Sequence, residues 1–124
     1  MSAPEAAVTA RLDPVPAGIG VVAPHDLALD RELWRWTPEQ VALYVTRTPP
    51  LDVAVGAELA HALRDEDALA QGCREVAEAD PGVTVYLCTS ASFIAGIAGE
   101  AELRAVMERA GARRALTTSG ALLE

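Results

Sequence analysis

Cys88 is one of only two cysteines in the chain. It closes the apolar run of "VTVYLCT" and stands directly before Thr89 and Ser90, at the head of a stretch of small residues. A thiol in that setting can serve either of two ends. Where backbone N–H groups and hydroxyls converge on an anion, the thiolate is stabilised and the sulfur works as a nucleophile or proton carrier. Where it meets only apolar neighbours, it is a small hydrophobe at a strand end. His25 follows the first apolar run, where an imidazole can do acid or base work, and Asp26 beside it can instead cap a following helix. Arg47 ends the second run, and its planar fork suits a substrate carboxylate or one of the chain's own acidic residues equally well. Thr118 and Ser119 add hydroxyls at the end of the last run.

Other chemically able residues point to structure. Cys73 lies with Leu69, Val76 and Ala77 on one apolar helical stripe, which makes it a core residue. His61, within "AELAHAL", reads as structural, and Trp34 and Trp36, two apart on a short helix, face different sides as packing or contact residues. The spacing of Cys73 and Cys88 matches no zinc pattern. No phosphate loop or GxGxxG follows a strand, so the sequence signals neither a metal nor a nucleotide cofactor.

The elements that must position these residues alternate. Residues 1–16 carry three prolines and no apolar period, and read as a loose leader. "GIGVVAP" (Gly18 to Pro24) predicts a strand buried on both faces. His25 to Trp36 predicts a short helix, stopped at Thr37-Pro38. Val41 to Thr48 predicts a second strand, and Val53 to Ala79 a helix pair or one kinked helix broken at "RDED" (Arg64 to Asp67). Val83 to Thr89 is the third expected strand after the turn signal Asp80 to Gly82. Gly99 to Gly111 is a helix, Ala112 to Thr118 a fourth strand, and Ser119 to Glu124 a helix opened by a serine N-cap. This order predicts a single α/β domain over residues 17–124, a flavodoxin-like parallel sheet of four strands with helices on both faces. Ligands of such sheets bind outside the carboxyl ends of the strands, near the switch in strand order. That rule gathers His25, Arg47, Cys88, Thr89, Ser90, Thr118 and Ser119 at one end.

Ten basic residues against eighteen acidic give a formal charge of −8. Such a surface repels phosphate backbones, which argues against nucleic acid and anionic membranes as partners. An anionic substrate would have to be captured by a local feature. No apolar run is long enough to span a bilayer and the N-terminus lacks a signal-peptide pattern, so the expected compartment is the reducing cytoplasm, with both thiols free.

With the elements placed, the chain resembles the maleate cis-trans isomerase and arylmalonate decarboxylase families of the aspartate/glutamate racemase superfamily. The residues that carry the resemblance are "GIGVVAP" at the first strand, "TRTP" at the second, "YLCTSASFIAG" at the third and "ALTTSGALLE" at the fourth. The resemblance implies a cofactor-independent enzyme without a metal, in which Cys88 adds to the double bond of a small maleate-like dicarboxylate and Thr89 and Ser90 hold a carboxylate or its enediolate. A decarboxylase acting on a malonate-like acid is the neighbouring alternative, and a noncatalytic module that binds a carboxylate or a protein partner is the alternative from another class. The chain departs from the isomerase pattern after the first strand, where Pro24-His25-Asp26-Leu27 replaces a serine- and asparagine-containing loop. The resemblance also implies a protein of two similar halves, so this chain corresponds to an N-terminal half, completed by a C-terminal half or by a second copy of itself.

Overall fold

The protein is described by a computed structural model covering residues 17–123, so the expected leader lies outside the described residues. Ten elements follow in order. The strands are β1 (Ala17–Ala23), β2 (Val41–Arg47), β3 (Val83–Tyr86) and β4 (Ala115–Thr117). The helices are α1 (Asp30–Trp36), α2 (Ala57–Ala62), α3 (Glu66–Ala77), α4 (Thr89–Phe93), α5 (Gly96–Arg109) and α6 (Thr118–Ala121). All four strands are parallel, in the order β2-β1-β3-β4. This is the α/β architecture the alternating pattern predicts, with the chain reversing direction across the sheet between β1 and β3.

The pleat divides the sheet residues between two faces. Thr46, Val22, Tyr86 and Thr117 form one row across the strands, and Val45, Val21, Val85 and Leu116 form the row that points the other way. The first face carries the core. Helices α3 and α5 pack on each other there, and Leu69, Leu103, Met107 and Tyr86 are fully buried beneath them. Each such aliphatic side chain contributes about 1.5–3 kcal/mol on burial. Helix α3 lies so close to β1 that a Cβ on Gly72 would stand 2.7 Å from Val22 Cγ1. Right-handed crossovers send α1 to the opposite face. That helix buries none of its residues, and Val45 beneath that side stays 42% exposed.

Several boundaries differ from the sequence expectation, each for a local physical reason. The helix expected from His25 begins only at Asp30: the Pro24 carbonyl closes a tight turn with the Leu27 amide at 3.1 Å, and the carbonyls of Pro24, His25 and Leu27 all accept from the Arg47 guanidinium. The long helical stretch is a pair, and Asp65 starts the second member by accepting from the Ala68 amide at 3.1 Å. Strand β3 stops at Tyr86, so Cys88 to Ser90 is not a loop. Cys88 is the N-cap of α4. The last helix is capped by Thr117, whose Oγ1 accepts from the Gly120 amide at 3.0 Å, and not by Ser119.

Candidate functional site

The reversal of strand order opens a crevice between the carboxyl ends of β1 and β3, and a cleft of about 550 Å³ occupies it. One wall is the loop after β1, with Pro24, Asp26, Leu27 and Ala28. The other is Leu87, Cys88, Thr89 and Ser90. Val55, Leu59 and Leu63 close it from the side of α2. Leu87 still belongs to the sheet ladder, its amide donating to the Val22 carbonyl at 2.8 Å. Cys88 leaves the ladder in an extended conformation and becomes the first residue of the turn into α4, with its carbonyl accepting from the Ser92 amide. Its thiol sits 3.8 Å from the Ser90 hydroxyl and the residue is 6% exposed. Thr89 and Ser90 are exposed beside it.

The remaining predicted site residues frame this cleft without lining it. Arg47 donates from Nη1 to the carbonyls of Pro24, His25 and Leu27, the last at 2.6 Å. Its Nη2 holds both carboxylate oxygens of Asp30, at 2.8 and 2.7 Å. Of the two partners left open for this side chain, the acidic residue has it, and the guanidinium acts as the fastener that shapes the Asp26 loop. His25 is half-buried outside the lining, with Nδ1 buried and lacking a partner among the described residues. Thr118 donates to the Tyr86 carbonyl at 3.2 Å. The Ser119 and Ser92 hydroxyls lie 2.6 Å apart and share the Thr89 carbonyl as acceptor. These two residues therefore stitch the end of β4 to the start of α4. They border a second hollow of about 200 Å³, with Phe93, Ile97 and Leu123 around it.

Three contributors were not legible in the pattern. Asp26, by sequence a candidate helix cap, lines the cleft, and α1 starts five residues later than the sequence predicts. Arg64, in the expected helix break, is largely buried and donates to the carbonyls of Ala91 and Gly99 at 2.9 and 3.1 Å, bracing α4 against α5. Tyr86 donates its phenol to the Leu63 carbonyl at 2.5 Å, tying β3 to the lining from α2. Burial, and then the neighbouring charges of Cys88 and Asp26, push the Tyr86 phenol well above its ordinary range. It is therefore a neutral hydrogen-bond donor at working pH.

Cys73 is buried on the apolar stripe of α3, and burial pushes its thiol up to about 11, against the smaller opposing effect of Arg74. It is a core residue. Among the described residues no three His, Cys, Asp or Glu side chains are grouped as a metal site, and no helix is long and apolar enough to cross a membrane.

No protein-family model matches the chain, and no curated protein matches it by sequence. Similarity emerges in three dimensions. The maleate isomerase Iso from Pseudomonas putida S16 superposes with a TM-score of 0.60 at 20% identity, over 86% of this chain and 47% of the isomerase. A cysteine-to-alanine variant of that enzyme, crystallised with maleate, superposes with a TM-score of 0.61 at 20% identity, over 86% of this chain and 46% of the other. The shared feature is the fold, and this chain spans about half the length of those isomerases.

Proposed function

We propose that the chain is one half of a cofactor-independent isomerase that acts on a small carboxylate through Cys88. The observation that carries the reading is the position of the thiol. In a fold shared with maleate isomerases, it stands at the carboxyl end of a central strand, in the crevice where strand order reverses, with hydroxyls on the two residues that follow it. Thiols used only for packing have no need of that place, as Cys73 illustrates on its helix.

The chemistry requires little else. The Cys88 thiolate adds to one carbon of a carbon–carbon double bond conjugated to a carboxylate, and the displaced electron pair moves into the carboxylate, giving an enediolate. The former double bond is now single and rotates. Collapse of the enediolate expels the thiolate and restores the double bond in the trans arrangement, so no atom or electron is gained or lost. Thr89 and Ser90 would donate hydrogen bonds to the carboxylate as its charge builds, which is where preorganised donors lower a barrier most. Decarboxylation of a malonate-like acid would use the same donors for the same enediolate. A second half, or a second copy of the chain, would supply the opposite wall of the cleft.

The test is the rate of alkylation of Cys88 by iodoacetamide as a function of pH, followed by mass spectrometry with Cys73 as internal control. Labelling of Cys88 faster than that of Cys73 across the pH range is the expected result. Incubation with small cis-unsaturated carboxylates, monocarboxylates and maleate among them, should yield the trans isomer of at least one by NMR, and Cys88→Ala should abolish it. Labelling of Cys88 no faster than that of Cys73 at every pH would overturn the nucleophile assignment.

A further inference from the structure

Among the described residues, Asp26 is the only ionisable side chain besides the thiol in the lining of the Cys88 cleft. It is exposed, and it has no hydrogen-bond or ion-pair partner among the described residues. Among the described residues no arginine or lysine lines the cleft. Arg47, the nearest in sequence terms to a carboxylate receptor, is fastened to three carbonyls and to Asp30. Arg64 is committed to Ala91, Gly99 and Glu102. The rest of the Asp26 wall is apolar, with Pro24, Leu27 and Ala28, and so is the α2 side, with Val55 and Leu59. A concave site focuses the field of a single charge, and the net charge of −8 adds to it.

On the reading of this cleft as the substrate site, we infer that Asp26 sets the charge class of the ligand. The cleft takes a molecule that presents a hydrogen-bond donor, ammonium or hydroxyl, to Asp26, lays an apolar body on Leu27, Val55 and Leu59, and carries a single carboxylate. A dicarboxylate would bring a second negative charge toward an unpaired one. Repulsion of that kind excludes a competitor as effectively as attraction selects a ligand. The loop Pro24-His25-Asp26-Leu27 is thus the specificity element, and Arg47 is its positioning residue.

The experiment labels Cys88 in the full chain with cationic, neutral and anionic methanethiosulfonates of similar size, with free cysteine as the reference thiol and Cys73 as internal control. The expected ratio of cationic to anionic rates exceeds that of free cysteine by about fivefold, as two charge steps at several ångströms produce in a solvated cleft. Asp26→Asn should bring the ratio back to the reference, and Asp26→Glu should keep it raised. Protection from neutral reagent separates the donors: an apolar amino acid and the matching hydroxy acid, each tested against maleate. Both should protect at lower concentration than maleate, the amino acid ahead if an ammonium is preferred, and Asp26→Asn should shrink the difference. Equal cationic and anionic rates, or better protection by maleate, would overturn the inference while leaving Cys88 as nucleophile. Uniformly slow labelling, at the level of Cys73, would remove the site and the inference together.

Discussion

Cys73 and Cys88 are both buried, one inside the helix stripe and one at the edge of the cleft, and the first leaves a signature in the pH dependence of stability. The folded-state value of Cys73 is raised by burial to about 11, while an exposed thiol in the unfolded chain ionises near 8.5. The unfolded state therefore binds fewer protons between those two values, and stability falls as pH rises through that window. Thermal melts from pH 8 to 11 should show a decline that is smaller in Cys73→Ala, once its lower starting stability is subtracted. Cys88→Ala should cost only about 1 kcal/mol, as a modest truncation at a strand end, measured by urea unfolding. The stripe Leu69, Cys73, Val76 and Ala77 made the first cysteine legible as core, because helical periodicity is local. The place of Cys88 at the end of a strand was equally legible. The partner of Arg47 was not, since a surface arginine in an acidic chain has many candidate partners and only the fold brings Asp30 to it.

At the scale of elements, two contacts decide how β1 and its neighbours are held. Gly72 lets α3 rest on Val22, so Gly72→Ala should destabilise the protein by about 1–3 kcal/mol through overpacking, despite alanine's better helix propensity. A stabilised variant in denaturant unfolding would mean the helix can lift at no cost. Arg47→Ala should lose about 1 kcal/mol, because the pair with Asp30 is half-exposed and the bonds to carbonyls are partly replaced by water. Its sharper signature is local: hydrogen exchange should speed up in residues 24–30 and leave α3 and α5 unchanged. Element types were readable because strands and helices have different apolar periods. Their ends were less so. Thr117 rather than Ser119 caps the last helix, and α1 starts late, since both boundaries depend on which carbonyls and hydroxyls are used by other parts of the fold.

For the whole molecule, an excess of acidic residues over a small domain implies self-repulsion that salt relieves. Melting temperature should rise as sodium chloride goes from a few millimolar to about 0.3 M, where the screening length falls below 10 Å. A flat response would mean that the pairs Arg47–Asp30, Arg104–Glu100 and Arg113–Asp80 carry most of the surface electrostatics, because salt weakens those while it relieves repulsion. The sequence by itself determined the alternation of strands and helices. With the handedness of crossovers, this fixed a parallel α/β sheet and the end of it where ligands of such sheets bind. It also marked Cys88 with its two hydroxyl neighbours, because a strand end followed by small polar residues is a local pattern. Tertiary structure alone decided which loops share the cleft. That choice depends on β1 and β3 being neighbours, on Arg47 reaching across to pin the loop after β1, and on Asp26 of that loop lining the cleft. These contacts join residues far apart in the chain, and no local period encodes them.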